Sequence, residues 1–157
     1  MSSKMMTVAV GVGLLSLMFA SFAQAQTRDS LPNDFGAELL GKAALYSFDY
    51  QRMVTPGLGL QVGFAAIGSS DAVVAFLPVG AKAYLLNKNA SPFVTGGIVL
   101  LTGSVDSGPV ESATYGFGGV GFEFRSPGGF LFRTTMYGLF AGGEFLFWPG
   151  IGIGYAF

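Results

Sequence analysis

The sequence predicts an all-β protein: an antiparallel up-and-down transmembrane β-barrel of eight strands, following a cleaved signal peptide. Three observations carry this. Hydrophobic residues make up 51% of the chain, yet glycine interrupts every apolar stretch after residue 25 that could suggest a membrane helix; of 25 glycines, all but Gly11 and Gly13 lie there. Between turn residues, short apolar segments alternate large and small side chains with the period of a strand. The chain also ends on a strongly patterned strand. Ile151, Ile153, Tyr155 and Phe157 share one face, with Gly150, Gly152, Gly154 and Ala156 on the other. A soluble strand would place polar residues on its second face, whereas glycine suits a crowded barrel interior turned away from lipid. A lipid-soluble chain without spanning helices must close its sheet, because backbone groups in hydrocarbon need internal partners.

The N-terminus stands apart. Lys4 supplies a positive charge, Met5 to Phe22 is apolar and uncharged, and Ala23-Gln24-Ala25 has the small-x-small form of a signal-peptidase site. The apolar run is near the lower limit for a membrane span. The polar Gln26-Thr27-Arg28-Asp29 that follows favours cleavage over a retained helix. The expected organisation is a signal peptide over 1–25, a short segment over 26–32 and a barrel over 33–157.

The strands follow in order. Asn33 to Gly41 pairs Ala37 and Leu39 on one face with Gly36, Glu38 and Leu40 on the other. Gly41-Lys42-Ala43 would reverse the chain, although the link is very short; one long bent strand through 34–53 is the alternative. Leu45 to Met53 sets Tyr46, Phe48 and Tyr50 against Ser47, Asp49 and Gln51, and Thr55-Pro56-Gly57 turns the chain. Leu58 to Ile67 alternates cleanly, and Ser69-Ser70-Asp71 is a loop. Val73 to Leu86 sets Leu77, Val79, Ala81, Ala83 and Leu85 against Pro78, Gly80, Lys82 and Tyr84. Pro78 cannot donate to a ladder, so a bulge or an interrupted hydrogen bond is expected there. A turn at 87–91 leads into Pro92 to Gly103, and a loop at Asp106-Ser107-Gly108-Pro109 into Ser112 to Arg125. Ser126-Pro127-Gly128-Gly129 precedes the strand to Phe140, and Ala141 to Glu144 loops into the last strand, about 146–157. Both ends of a single-chain barrel lie on one side, so the strand count must be even. Seven strands begin at residue 45, which assigns the eighth to the weakly patterned segment before it.

Composition excludes several functions. Without Lys4 the chain has seven basic and nine acidic residues and no basic run, so it lacks the electrostatic footprint of nucleic-acid binding. It has no cysteine and no histidine, hence no disulfide framework and none of the usual zinc sites. No cofactor or metal is expected. Glycine-rich Gly116 to Gly119 lies within a strand pattern and precedes no helix, so it is not a phosphate loop.

If the bulky parity faces lipid, Glu38, Asp49, Gln51, Lys82, Glu123 and Arg133 point inward. An eight-stranded barrel is just wide enough for side chains to fill. Charges in such a lumen must pair. The structural reading is an ion-pair network that plugs the barrel, with two or three acids facing Lys82 and Arg133. The functional reading is a ligand site or ion path. Glu123 and Arg133, flanking the turn at 126–129, should be near cross-strand partners. Tyr84, Tyr115 and Tyr137 should fill the lumen, while Trp148, Tyr46, Tyr50 and Tyr155 suit membrane interfaces.

Tyr46-Ser47-Phe48-Asp49-Tyr50, the Gly128 to Arg133 segment and the closing Pro149 to Phe157 strand resemble those of small eight-stranded outer-membrane barrels, the OmpA/OmpX-like group. The resemblance covers most of 44–157. It implies a bacterial outer-membrane location, with 26–32 in the periplasm, outer-membrane lipids as surroundings, and a terminal Tyr155–Phe157 signal read by the barrel assembly machinery. It implies little about activity. Barrel enzymes of this size that resemble it in architecture use histidine with serine for acyl chemistry; this chain has no histidine, and Ser47 beside Asp49 is a weak substitute, so no enzyme activity is expected. Three functions remain: a structural barrel with a plugged lumen, a barrel that binds or passes a small molecule, and an exported soluble barrel of lipocalin type. The last needs a polar outside, opposite to this pattern. No residue names a ligand.

Overall fold

A computed structural model describes residues 27–69, 72–105 and 111–157. The expected signal peptide, with its cleavage motif, and the centres of the loops at 69–71 and 106–109 lie outside the described residues. A four-residue helix, α1 (Thr27–Ser30), precedes eight strands: β1 (Asn33–Leu40), β2 (Tyr46–Thr55), β3 (Leu58–Gly68), β4 (Ala72–Tyr84), β5 (Ala90–Val105), β6 (Glu111–Arg125), β7 (Phe130–Ala141) and β8 (Glu144–Ala156). Each pairs antiparallel with the next, and β1 pairs with β8 to close the barrel. The two ends of the chain meet there: Asn33 N–H donates to Phe157 O at 3.0 Å and Phe157 N–H to Asn33 O at 2.8 Å. Among the described residues, no helix is long and apolar enough to cross a membrane.

The segment before residue 45 is a separate strand, not half of a bent one. The chain reverses through a 3-10 turn at Gly41–Ala43. So short a reversal has a conformational cost. Leu40 and Ala44 take left-handed φ values of 58° and 70°, which costs a non-glycine residue on the order of 1–3 kcal/mol. The hairpin is secured by Leu40 N–H donating to Leu45 O at 2.7 Å. At the β7–β8 reversal glycine avoids that cost: Gly142 and Gly143 have φ 58° and 88°, as a tight hairpin with two left-handed central residues requires.

Alternation sorts the two faces. Leu60, Val62 and Phe64 on β3, Val120 and Phe122 on β6, and Ile151, Ile153 and Tyr155 on β8 point outward and are exposed. Their intervening neighbours point inward. Gly150 shows why the inner face of β8 carries glycine. A Cβ there would lie 2.8 Å from Tyr137 Cε2 and 3.0 Å from Gly41 Cα, so an added side chain would displace the β1–β2 link.

Pro78 interrupts the ladder without a bulge. The β4–β5 register runs unbroken through Pro78 opposite Val99. Between β3 and β4, pairing stops at Val62–Val79 and resumes at Ala65–Phe76 in the same register. The missing donor therefore removes pairing without shifting the strand.

Candidate functional site

The polar side chains that this topology turns inward form two clusters. The first lies toward the end of the barrel that carries both termini. Register places Glu123 on β6 directly opposite Arg133 on β7. Closure brings Asp34 on β1 within reach of Arg125 and Arg133. Arg133 Nη2 lies 3.0 Å from Glu123 Oε2 and 2.8 Å from Asp34 Oδ1. Arg125 Nη2 lies 2.5 Å from Asp34 Oδ2 and 3.3 Å from Glu123 Oε1. Lys82 Nζ is 4.0 Å from Glu123 Oε2 and sits 4.6 Å from the centre of the Phe93 ring. Tyr84 O–H donates to Glu123 Oε2 at 2.6 Å and accepts from Gln51 Nε2 at 2.9 Å.

The N-terminal segment completes this cluster from below. Arg28, on α1, places Nη2 3.3 Å from Glu123 Oε1 and stacks its guanidinium 4.0 Å from the Tyr84 ring centre. It also donates to the Lys88 carbonyl. Arg125 Nη1 donates to Leu31 O at 2.8 Å, tying the same segment to the barrel wall. Glu123 thus meets Arg28, Lys82, Arg125 and Arg133, and all five side chains are buried.

The second cluster lies toward the opposite end. Lys42, carried inward by the 3-10 turn, pairs with Glu38 Oε2 at 2.8 Å and Asp49 Oδ2 at 2.9 Å. Ser47 O–H donates to Asp49 Oδ2 at 2.8 Å, and Tyr137 O–H to Glu38 Oε1 at 2.8 Å. Tyr115 O–H donates to the Lys42 carbonyl. The left-handed residues on either side of this turn direct Lys42 into the lumen, where two carboxylates offset the cost of burying its charge.

All six residues on the inward parity, Glu38, Asp49, Gln51, Lys82, Glu123 and Arg133, have buried side chains. Two acids, Glu123 and Asp34, gather at Arg133, with Lys82 against Glu123, but Asp34 was not among the six. Glu38 and Asp49 pair with Lys42 instead, because their strand positions place them nearer the opposite end from Lys82 and Arg133. Four charged members fell outside the six. Asp34 shares the parity of Glu38, and Arg125 that of Glu123, so the alternation extended by one step would have found them. Arg28 and Lys42 lie in non-repeating segments and carry no periodic signal.

Every charged residue of the two clusters makes at least one ion pair. Asp49 Oδ2 accepts from both Lys42 and Ser47. Among the described residues, no group of three or more carboxylates is placed to hold a metal ion. Tyr155 and Phe157 point outward at the terminal edge and are exposed.

No family model and no curated protein matches the chain. Solved structures do match. The N-terminal β-barrel domain of Pseudomonas aeruginosa OprF is 15% identical, with a TM-score of 0.62, over 80% of this chain and 95% of that one. The chain has the fold of the small eight-stranded outer-membrane barrels. Ail, the attachment invasion locus protein of Yersinia pestis, is 16% identical over 80% of this chain and 93% of that one, with a TM-score of 0.40.

Proposed function

We propose that this chain is an integral barrel of the bacterial outer membrane, exported by a cleaved signal peptide over 1–25, with a plugged lumen and a structural role in the envelope. The observation that carries the reading is the pair of ion clusters across the lumen. One is capped by Arg28 from the N-terminal segment and the other is centred on Lys42 from the β1–β2 link. An eight-stranded interior has little room beyond its own side chains. The outward apolar belt supports the membrane location, since a contiguous apolar surface of this extent is a liability in water. The polar residues that alternate with it face the lumen, which counts against a soluble lipocalin-type barrel. No catalytic role, cofactor or nucleic-acid partner belongs to this reading.

In this orientation both termini and the turns at 56–57, 85–89 and 126–129 lie in the periplasm. Tyr155 and Phe157 then serve as the signal for the assembly machinery, and outer-membrane lipids surround the belt. Two measurements test the proposal. The mature protein in detergent should show heat-modifiable gel mobility, and in planar bilayers it should give no sustained single-channel conductance, with Arg133→Ala allowing small-ion leakage. Stable open pores in the parent protein would overturn the plugged lumen. A soluble protein with no mobility shift would overturn the membrane barrel.

A further inference from the structure

The inner face changes character toward the end of the barrel opposite the termini. Beyond the Lys42 cluster large apolar residues take over much of the inner face, with Gly103 and Glu144 following them at the rim. Ile67, Val74, Leu101 and Leu139 pack around a buried group that includes Phe76, Val99, Phe117 and Tyr137. The alternation of large and small residues also fails there, as Leu100-Leu101, Leu139-Phe140 and Phe145-Leu146 place bulky apolar groups on both faces. This leaves a cavity of about 420 Å³ at the mouth, lined by Ala44, Phe76, Tyr115, Leu139, Ala141 and Leu146, with Glu144 and Phe145 at its edge.

Three features define what fits it. Ala44 of the β1–β2 link lines it, and the Lys42 ion pairs lie on the same link, so under the plugged-lumen reading it is a cup and not a passage. Two polar groups near its wall are already engaged: Tyr115 O–H donates to the Lys42 carbonyl, and Trp148 Nε1 to Ala44 O at 3.0 Å. Its volume lies in the range of small-ligand pockets, far below what a folded partner would need. Leu146, although on the inward parity, is 53% exposed.

We propose that this cup is a binding site for one small, uncharged, apolar molecule entering from the mouth. The inference rests on the closed floor of the plugged-lumen reading and adds a ligand class to it. An anionic ligand would meet no cationic side chain among the lining residues, and a cation would meet only Glu144, exposed at the rim; either would lose hydration inside, whereas an apolar molecule gains by leaving water. Glu144 at the edge disfavours anionic amphiphiles in particular.

The probe is N-phenyl-1-naphthylamine, an uncharged molecule that fluoresces in apolar surroundings. The mature barrel is placed in phospholipid nanodiscs, and the probe is excited by energy transfer from Trp148, the single tryptophan, which packs beside the cup. A saturable, one-to-one component above that of empty nanodiscs is expected. Ala141→Phe should fill the cup and Leu146→Asn should make its wall polar; each should weaken the saturable component by about tenfold or more. Heat-modifiable mobility verifies that both variants fold. A signal no larger than in empty nanodiscs, or a saturable signal that both variants leave unchanged, would overturn the site. Binding that appears only when residues 106–110 are shortened would make that loop the occupant and would also overturn it. Conductance in the parent protein reports on the floor alone, so the failure of one reading is distinguishable from failure of the other.

Discussion

Glu123 stands directly across the β6–β7 ladder from Arg133, and its carboxylate lies within 4.0 Å of four cations, Arg28, Lys82, Arg125 and Arg133. A single anion thus joins the N-terminal segment to strands β4, β6 and β7. Asp34 on β1 binds Arg125 and Arg133 in turn, so the cluster also spans the β1–β8 closure.

Glu123→Gln should be the most destabilising single change in the lumen. It keeps the shape but leaves four buried cations with Asp34 as their one remaining acid, and breaking a buried pair in this way costs about 3–5 kcal/mol. Denaturant unfolding in detergent, followed by the fluorescence of Trp148, should show the midpoint fall. A midpoint equal to the parent's would mean that the cluster contributes nothing to stability.

Lys42→Met should leave Glu38 and Asp49 facing one another without a cation. The expected loss is again about 3–5 kcal/mol. Combining it with Glu38→Gln and Asp49→Asn should recover much of that loss, because the three charges act as a unit and their effects are not additive. Equal instability of the single and triple variants would show that the link depends on the Lys42 stem and not on its charge.

Val120 lies on the outward face of β6 and is 60% exposed. In a bilayer, Val120→Arg should cost about 2–4 kcal/mol if the residue sits near the midplane. A soluble barrel would accept this arginine at an exposed position with little change. Reversible folding into phospholipid vesicles, compared with the parent, separates the two.

Arg28→Ala removes the one cluster member supplied by the segment before β1. The barrel wall is untouched, so folding should persist while the terminal end of the lumen loosens. Small-ion leakage through planar bilayers should rise relative to the parent. Leakage at the parent's level would confine the seal to Arg125, Arg133 and the acids they bind.

Phe157→Ala keeps the backbone hydrogen bonds to Asn33 and removes only the ring. Refolding in detergent should be near that of the parent, while the amount of folded barrel recovered from cells should drop. Unchanged recovery from cells would remove Phe157 from the assembly signal.

Much of this architecture can be read along the chain. The Gly/Ile alternation of 150–157 and the repeated turn residues yield the strand number, including the weakly patterned β1. Where Pro78 falls, the expected interruption of pairing is found between β3 and β4, in its register-preserving form. The lumenal partnerships are a different matter. Glu38 and Asp49 pair with Lys42, a residue of a non-repeating turn whose inward aim depends on left-handed Leu40 and Ala44. Arg28 joins Glu123 across 95 residues of chain, and no periodicity spans that distance.

The sequence by itself determined which side of the wall each strand residue occupies. Successive side chains point to opposite faces, so large-and-small alternation is a local code for outside and inside. Only the tertiary structure decided which inward charges meet. Their heights in the lumen depend on the stagger of eight strands, on the β1–β8 closure, and on two short segments that turn Arg28 and Lys42 into the interior. Those are long-range constraints of a closed sheet, and they apply only once the barrel has formed.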